Sequence, residues 1–530
     1  MVFSLLRCFN TKLALGCLLI AISSFNYGFD NQAFATTQAM NAFDKQFGVW
    51  NAKSKTWVLE PSWLSLFNSL NYIGFAFGMP SAGNSLAEAD KPGVLLGSHV
   101  SARYGRRVCM FSMSVYALVT ATIAVTSQSR EQIMAGRILN YVYVGMELAV
   151  VPAFQSEIVP ASARGFIVGT YQLSLIFGGF VINSVCRGTS GMRNNRAWRI
   201  PVGLFYIVPT IIMFLIFFIP ESPRWLLKQG RVEEAKANLI KLREGKFTEE
   251  QMDLEFRELQ AALEFENAFE KGTFVEMFHG INLKRTTIVV LVNFFQQATG
   301  QAFASQYGTI YVKSLQTINP FNFSLITSAI SMFSIIMCLL LTDKVGRRPL
   351  LLLGAAIQTA ALMTMGGLGT PKTVDYSSKV GIVAMIAVMA VGFGIGWAPL
   401  TYVVTSELPA IKLRDHALRL GFSVNVVINF AVNFSIPYLI NAEYANLQSK
   451  VGFIFGSFAL LCFIFTYFCI PECSGKTLEQ IDYLFHNGVP LRKFGTADVP
   501  TFEERVVAEK VEEDIVKPQK IEREDQSGAF

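Results

Sequence analysis

The stretch PESPRWLLK occupies Pro220–Lys228, where a long apolar run gives way to charged sequence. It begins the one long charged segment that separates two series of hydrophobic runs. A similar stretch, PECSGKTLEQ, begins at Pro471, where the final apolar run ends. Two similar exits from apolar sequence indicate a chain built as two halves that a polar middle segment joins.

The composition is typical of a membrane protein. The 530 residues are 52% hydrophobic and 16% charged, whereas soluble proteins carry about 25% charged residues. Apolar runs of about 20 residues, the length of a membrane-spanning helix, recur through the sequence. No small-residue cleavage site and polar mature domain follow the first run, near Leu13, so we interpret it as a retained helix.

These runs predict an all-α membrane protein with twelve transmembrane helices in two six-helix halves. The predicted ranges are 13–38, 62–102 (interrupted), 107–127, 132–152, 165–186, 198–219, 286–312, 323–342, 349–368, 380–404, 416–440 and 451–470. The middle segment, 220–285, is amphipathic and favours short cytoplasmic helices. The predicted units are therefore 1–219, 220–285 and 286–486, followed by a charged tail at 487–530 whose composition is typical of disorder.

Positive charge is concentrated in alternate predicted loops, which the positive-inside rule assigns to the cytoplasm. These basic groups are Arg103, Arg106, Arg107, Arg164, those between 224 and 285, Lys344, Arg347, Arg348, Lys412, Arg414 and Arg419. The pattern predicts an even number of spans with both termini inside. Contrary charges on the predicted outer side are Arg187, Arg193, Arg196, Arg199, Lys45, Lys53 and Lys55.

The two halves repeat short motifs in the same order. ARYGRR at 102–107 matches DKVGRR at 343–348, and SEIVPASAR at 156–164 matches SELPAIKLR at 406–414. Each motif recurs about 250 residues later, which indicates a parallel repeat of six helices with a substrate site between the halves near the midplane.

Taken together, these motifs resemble the major facilitator superfamily, in its sugar porter branch and most closely its fungal members. The resemblance extends from the first helix to Asp482 and includes FQQATG in the seventh predicted helix. It implies a secondary transporter for a sugar.

The second predicted helix is interrupted by MPSAGNSLAEADKPG at 79–93. Removing these residues joins Gly78 to Val94, restores one continuous apolar span and aligns Gly74, Gly78 and Gly97 in the spacing that allows close helix packing. We hypothesise an unspliced in-frame insertion. The alternative is a genuine outer or re-entrant loop that divides the helix.

Asp30 lies within the first predicted helix, where an ionised carboxylate costs about 2.5–3.5 kcal/mol, so it is a functional candidate. Arg137 in the fourth helix is the expected cationic partner. By the resemblance, Asp30 matches the proton-binding aspartate of sugar–proton symporters and Arg137 matches its arginine. The alternative places Asp30 in water at the outer mouth.

Several amides lie within apolar helices, and an amide can both donate to and accept from sugar hydroxyls. The resemblance places Gln172, Gln296, Gln297 and Asn425 at sugar-contacting positions. The other expected substrate-binding residues are Gln301, Asn429 and two aromatic side chains of the tenth helix, Trp397 and Tyr402. Interhelical hydrogen bonding is the alternative role of such amides.

Charged residues at the predicted cytoplasmic helix ends resemble the inner gate of the family, where such groups pair while the transporter is closed inside. Ala102 departs from this pattern, because its counterpart is Asp343. Solubility and topology are the alternative roles of these charges. The expected gate residues are Arg106, Arg107, Glu157, Arg164 and Glu221 in the first half, and Arg347, Arg348, Glu407, Arg414 and Glu472 in the second.

The resulting hypothesis is import of a monosaccharide or polyol, coupled to protons, by a monomer in the lipid bilayer of the plasma membrane. A quinate or sugar-acid transporter and a non-transporting nutrient sensor are the alternatives. The eight cysteines have no metal-ligand spacing, and no nucleophile–base constellation appears, so we expect neither a metal or cofactor nor an enzyme. No nucleic-acid partner is expected.

Overall fold

The computed structural model describes residues 9–52, 55–78, 96–268, 272–371 and 373–497. Nine helices in these ranges are long and apolar enough to span a membrane alone: Thr11–Thr37, Arg106–Val125, Arg130–Ile158, Arg196–Phe218, Pro320–Val345, Arg347–Leu368, Tyr376–Glu407, Ile411–Ile440 and Gln448–Cys469. The second, fifth and seventh spans complete the twelve-helix architecture predicted from the sequence.

The first half contains helices α1 to α10. Their bounds are α1 Thr11–Thr37, α2 Asn41–Phe47, α3 Pro61–Ser69, α4 Asn71–Gly78, α5 Leu96–Tyr104, α6 Arg106–Val125, α7 Arg130–Ile158, α8 Ala161–Thr189, α9 Arg196–Gly203 and α10 Ile207–Leu215. The 3₁₀ turns Leu204–Tyr206 and Ile216–Phe218 continue α9 and α10 as one span.

The middle segment forms α11 Pro223–Lys228, α12 Val232–Arg243, α13 Glu249–Ala268 and a 3₁₀ turn at Phe274–Phe278. This agrees with the short amphipathic helices that the sequence favoured. The first of them begins at PESPRWLLK, where Pro223 is in the first turn and the Ser222 hydroxyl accepts from the Trp225 N–H at 3.1 Å. The middle segment is shorter than predicted, because helical structure resumes at Gly280.

The second half contains α14 Gly280–Ala298, α15 Gly308–Leu315, α16 Pro320–Val345, α17 Arg347–Leu368, α18 Tyr376–Gly392, α19 Ala398–Glu407, α20 Arg414–Ile440, α21 Val451–Cys469 and α22 Leu478–His486. Five-residue π-helical turns at Phe303–Tyr307 and Phe393–Trp397 interrupt the seventh and tenth spans. Short 3₁₀ turns lie at Ile411–Leu413, Gln448–Lys450 and Leu491–Lys493.

Several spans begin at side-chain caps that satisfy the free N–H groups of the first helical turn. Asn10 caps α1, Ser129 caps α7, Asn319 caps α16 and Asp375 caps α18. These residue types just before an apolar run are a signal available from sequence.

The seventh span is not the continuous helix that 286–312 predicted. Its first part ends at Ala298, and Gly300 adopts a φ of +80° before helical structure resumes. A Cβ at Gly300 would lie 2.4 Å from the Phe455 Cγ atom, so both backbone conformation and packing require glycine there. The sequence-based prediction of one helix was therefore wrong.

A second difference lies on the outer side, between the first two spans. The strands β1 Val49–Asn51 and β2 Thr56–Val58 form an antiparallel hairpin in which Trp50 pairs with Trp57. The centroids of the two indole rings lie 5.7 Å apart. The all-α prediction contained no such element.

The ends of the second span are visible as α3, α4 and α5, whereas the proposed insertion at 79–93 lies outside the described residues. At the other end of the chain, ordered structure extends to Ala497, beyond the predicted start of the tail at 487. Phe494 is fully buried and contacts the Phe485 ring at 4.9 Å. The rest of the predicted tail, 498–530, is outside the described ranges.

The halves meet along α8 with α16 and along α3 with α20. Hydrogen bonds and an ion pair join the halves at the end of the bundle that carries the β-hairpin. The Lys313 ammonium contacts the Asp44 carboxylate at 2.8 Å, and the Asn183 amide donates to the Ser328 hydroxyl at 2.7 Å. The halves are therefore connected at the end that the sequence predicts to be the outer one.

Candidate functional site: a cavity between the two halves

A cavity of about 290 Å³ lies between the halves. This volume is at the lower end of the range of small-molecule pockets, about 300–1,000 Å³. The residues found to line it belong to both halves, and none of them carries a formal charge. Seven of the expected substrate-binding residues line this cavity: Gln172, Gln296, Gln297, Gln301, Tyr402, Asn425 and Asn429.

Asn425 is the centre of an amide cluster on the side of the second half. Its Nδ2 donates to the Gln296 Oε1 at 2.6 Å, and its Oδ1 accepts from the Gln297 Nε2 at 3.1 Å. The three amides come from α14 and α20, two helices distant in sequence. The amides of Gln296 and Asn425 have partners at both their nitrogen and their oxygen atoms, whereas the amide of Gln297 is held through its Nε2.

Gln172 lines the cavity from α8 in the first half, so it faces the amide cluster across the space. Tyr402 lines the opposite side, with its ring 5.9 Å from that of Phe422. The cavity thus combines amides with an aromatic surface. The Asn429 Oδ1 also lies at this wall and accepts from the Asn433 Nδ2 at 2.6 Å.

Trp397 does not line the cavity, contrary to the sequence-based expectation. Its side chain is fully buried in the second half, where the indole Nε1 donates to the Leu351 carbonyl at 3.1 Å. Its own carbonyl accepts from the Gln296 Nε2 at 3.3 Å. The π-helical turn that ends at Trp397 directs the indole into the core and leaves its backbone to hold an amide of the cavity.

Asp30 and Arg137 form the predicted buried pair. The Arg137 Nη1 atom lies 3.4 Å from the Asp30 Oδ1, and each side chain is 5% exposed. Asn140, one turn further along α7, donates to the Asp30 Oδ2 at 2.6 Å. The guanidinium also stacks on Phe34, 3.9 Å from the ring centroid. In this arrangement the Asp30 side chain is therefore buried and paired.

A chain of hydrogen bonds connects this ion pair to the cavity and to the other half. The Arg137 Nη2 donates to the Tyr141 hydroxyl at 3.4 Å, and Tyr141 donates to the Asn31 Oδ1 at 2.8 Å. The same Asn31 oxygen accepts from the Gln306 Nε2 at 2.9 Å. Asn31 and Gln306 both line the cavity.

Asn31, Asn140 and Gln306 were missing from the expected site. All three are amides inside apolar helices, which is the signal that identified the other members of the site. Glu147 was missed as well, although it is a carboxylic acid within the apolar α7 and is fully buried. The criterion that selected Asp30 would have selected it.

Four expected gate residues of the first half, Arg106, Arg107, Glu157 and Glu221, form one cluster at a single end of the bundle. Arg106 makes a two-pronged ion pair with Glu157, with N–O distances of 3.0 and 2.8 Å. The Glu221 carboxylate accepts from the backbone N–H groups of Arg106 and Arg107, each at 3.1 Å. Glu221 of PESPRWLLK therefore caps the start of α6, and the Arg107 side chain donates to the Phe217 carbonyl at 2.6 Å.

The second half repeats this cluster. The Arg347 guanidinium contacts Glu407 at 3.3 Å, and the Glu472 carboxylate accepts from the N–H groups of Arg347 and Arg348 at 3.1 and 2.9 Å. The Arg348 side chain donates to the Tyr467 carbonyl at 2.7 Å. The two motifs that suggested the repeat thus build the same structure twice.

These charged clusters are each contained within one half. Arg414 interacts electrostatically with Glu407 of its own half, and the side chain of Arg164 is outside the described part of the structure. Among the gate side chains that are described, the ion pairs do not join one half to the other. The described gate side chains therefore form one cluster in each half.

The sequence profile of the family described as "Sugar (and other) transporter" matches residues 16–485, nearly the whole described chain. The chain is a sugar porter of the major facilitator superfamily. This membership makes it a multi-pass membrane transporter by family and confirms the resemblance drawn from its motifs.

Three relatives of this sugar porter illustrate its similarities. The major facilitator-type transporter ecdD of Aspergillus rugulosus is 32% identical over 74% of this chain and 74% of its own length. The high glucose sensor RGT2 of Saccharomyces cerevisiae is 29% identical over 74% of this chain and 53% of its own. The hexose transporter HXT9 of the same yeast is 27% identical over 91% and 84%.

Among solved structures, this porter is similar in fold to the xylose transporter XylE from E. coli in a partially occluded inward-open conformation. The TM-score is 0.68 at 20% identity, and the match covers 88% of this chain and all of XylE. At this identity the comparison establishes the twelve-helix fold.

Proposed function

We propose that this sugar porter imports a monosaccharide, either a hexose, a pentose or a related polyol, by alternating access coupled to protons. One observation carries the proposal. An uncharged cavity lined by amides and aromatic rings is connected through Tyr141 and Asn31 to the buried Asp30–Arg137 pair.

The cavity suits a neutral polyhydroxylated substrate. Gln172, Gln296, Gln297, Gln301 and Asn425 offer donors and acceptors for hydroxyl groups. Neutral groups also avoid the desolvation penalty that burying an ion carries. Tyr402 offers an aromatic surface, and Asn429 extends the polar wall. We assign Trp397 a positioning role through its carbonyl contact with Gln296.

The proposed cycle begins when Asp30 takes a proton from the outer side, which removes its charge and weakens its pairing with Arg137. The released guanidinium changes the Tyr141–Asn31 contact and, through Gln306, the position of the second half. Sugar binding between the halves then accompanies closure outside and opening inside. The inner clusters of Arg106, Arg107, Glu157, Arg164 and Glu221, and of Arg347, Arg348, Glu407, Arg414 and Glu472, act as the inner gate.

A sugar acid such as quinate is the second cargo to consider. A carboxylate would favour an accessible cation in the cavity. Arg137, the deep arginine of the first half, is paired with Asp30, stacked on Phe34 and absent from the cavity lining. This geometry favours the neutral sugar over the acid.

The similarity to a yeast glucose sensor motivates a second function, sensing without transport. Transport assays separate the two, because a sensor binds sugar and moves none. We further propose that the chain acts as a monomer in the plasma membrane with both termini in the cytoplasm. It has neither a cofactor nor a nucleic-acid partner in this proposal.

The deciding experiment is uptake of a labelled panel of hexoses, pentoses, polyols and quinate in cells that lack their own transporters. We expect saturable uptake of a monosaccharide that a protonophore reduces and that quinate does not compete with. Chains with and without 79–93 are assayed in parallel. No uptake of any sugar by a chain present at the cell surface would overturn the transport proposal.

Asp30→Asn tests the proton site. We expect it to abolish accumulation against a gradient and sugar-driven proton influx, while leaving exchange of labelled for unlabelled sugar, because exchange needs no net proton transfer. Asp375→Asn, which alters an exposed outer helix cap, is the matched control and keeps proton influx. Proton influx in Asp30→Asn at the normal rate would contradict the assigned role.

A further inference from the structure

Glu147 is a second buried acid of the first half, and the cycle described above does not use it. Its side chain is fully buried in α7, and neither carboxylate oxygen has a hydrogen-bond partner among the described residues. A buried ionisable group inside a membrane helix without a compensating partner is costly and is a functional candidate by default.

Glu147 lies on a polar face of α7 that leads inward from the Asp30–Arg137 pair. Tyr143 is one turn before it, and Gln155 is two turns after it, fully buried with its amide atoms unpaired among the described residues. From α1, Asn26 donates to the Tyr143 hydroxyl at 3.3 Å, and Asn26 is itself one turn from Asp30. Groups one turn apart, such as Tyr143 and Glu147, are thus about 5–6 Å apart along the helix, whereas Gln155 lies about 12 Å beyond Glu147.

Among the described residues, no cation interacts electrostatically with Glu147. The titratable side chains that interact with it are Asp30 from α1, Tyr143 from α7 and Tyr171 from α8. Of the other helices packed against α7, the described part of α4 carries Tyr72, and α5 carries Arg103 and Tyr104. The helix α6 carries Arg106, Arg107, Cys109 and Tyr116, and α11 carries Arg224 and Lys228. Arg106 is already committed to Glu157. Asp30 is the charged group that acts on Glu147, and it repels the ionised form.

We propose that Glu147 is a second proton-binding carboxyl, which takes the proton from Asp30 by way of Tyr143 and releases it toward the cytoplasm past Gln155. This inference rests on the proton coupling proposed above.

Charge balance explains why two acids would share one arginine. While Asp30 is ionised and paired with Arg137, a neutral Glu147 keeps the buried group uncharged overall. A proton that binds Asp30 leaves Arg137 unpaired, and Glu147 then loses its own proton to the inner side. In the reset step the Asp30 proton moves to the Glu147 carboxylate through the Tyr143 hydroxyl, which accepts one proton as it donates another. The states before proton binding and after proton release each hold one positive and one negative charge, and only the transient state in which both acids are protonated carries the unpaired charge of Arg137.

The test compares proton influx with sugar exchange in Glu147→Gln, Tyr143→Phe and the wild-type chain. We expect Glu147→Gln to slow sugar-driven proton influx by about 100-fold or more, the scale of a positioned proton carrier. Sugar exchange should persist, because Glu147 lies outside the cavity lining. Glu147→Asp should restore part of the influx, which a purely structural role would not predict.

Glu244→Gln is the matched control, since it removes an exposed carboxylate whose side chain is 67% exposed and pairs with Lys12. If Glu147→Gln fails to reach the membrane, Tyr143→Phe and Glu147→Asp test the proposal instead. For Tyr143→Phe we expect slowed proton influx and retained sugar exchange. Normal proton influx in Tyr143→Phe and Glu147→Gln, while Asp30→Asn abolishes influx, would overturn this inference alone. Sugar uptake without proton movement in the wild-type chain would overturn the proposed coupling itself.

Discussion

At the residue scale, the cavity depends on backbone conformations as much as on side chains. Gly300 shows this most directly, because it breaks the seventh span between the amides Gln297 and Gln301. Its φ of +80° is unfavourable for a residue with a Cβ, and the Phe455 ring occupies the space where that Cβ would lie. The break and the π-helical turn after it place Gln306 beside Asn31.

Gly300→Ala should therefore destabilise the protein by more than the cost of placing alanine at a positive φ. The conformation costs about 1–2 kcal/mol, and the clash with Phe455 adds about 1–3 kcal/mol. Gly475→Ala is the matched control, because Gly475 has a φ of +73° and no neighbouring atom within 4 Å of the added Cβ. Thermal unfolding of the two purified variants measures the difference. Equal melting temperatures would show that Phe455 moves aside freely.

At the element scale, the two inner clusters are helix caps supplied by another part of the chain. The Glu221 carboxylate covers the start of α6, and Glu472 covers the start of α17 in the same way. The glycine before each helix, Gly105 and Gly346, has a positive φ, and a Cβ there would lie 2.5 or 2.6 Å from the capping oxygen. GRR and PE motifs far apart in sequence therefore form one structural unit.

This geometry predicts how stability depends on pH. Burial raises the pKa of the Glu221 carboxyl above its ordinary value, although the N–H groups of Ser222, Arg107 and Arg106 oppose the shift. Because the folded protein binds this proton more tightly than the unfolded chain does, the contribution to stability is complete below the unfolded pKa, about 4.3. It is lost as pH rises through the raised folded value.

We expect the melting temperature of the wild-type chain, relative to that of Glu221→Gln, to fall as pH rises from the unfolded pKa of Glu221 through its raised folded pKa. Glu221→Ala is measured beside Glu221→Gln. Both variants lack the titrating carboxyl, but alanine also accepts no hydrogen bond from α6, so their difference measures the loss of the cap. A relative stability that rises with pH would mean that the N–H groups outweigh burial.

At the scale of the whole molecule, polar contacts join the halves at the end that we propose faces outward, and each half carries its own charge cluster at the other end. The ion pair between Asp44 of α2 and Lys313 of α15 is one of the outer connections, and the Asp44 side chain is only 13% exposed. Because charged hydrogen bonds contribute about 1.5–3 kcal/mol, this contact biases the equilibrium between outward-closed and outward-open states.

Asp44→Asn should shift that equilibrium toward the outward-open state by about tenfold or more, which is the population change that this energy produces. The measurement is the rate at which an impermeant thiol reagent, added outside, labels a cysteine placed at the cavity residue Thr327 in a cysteine-free chain. The charge-reversed pair Asp44→Lys with Lys313→Asp is the control and should restore slow labelling. Unchanged labelling in Asp44→Asn would exclude this gating role.

The sequence alone determined the membrane architecture and the repeat, and it predicted seven of the residues that line the cavity. The length of an apolar run follows from the thickness of the bilayer. A polar side chain within such a run is energetically costly, so its presence indicates a functional role. The buried pairing of Asp30 with Arg137 was likewise predictable, because a lone charge at that depth needs a partner.

Tertiary structure decided which amides meet and which aromatic faces the cavity. Trp397 and Tyr402 have equivalent signals in the sequence, and a π-helical turn sends the first into the core and leaves the second at the cavity. The Asn31–Gln306 contact and the polar face from Asp30 to Glu147 depend on the register between helices distant in the chain. Periodicity fixes which residues share a helix face, whereas packing between helices fixes what that face meets.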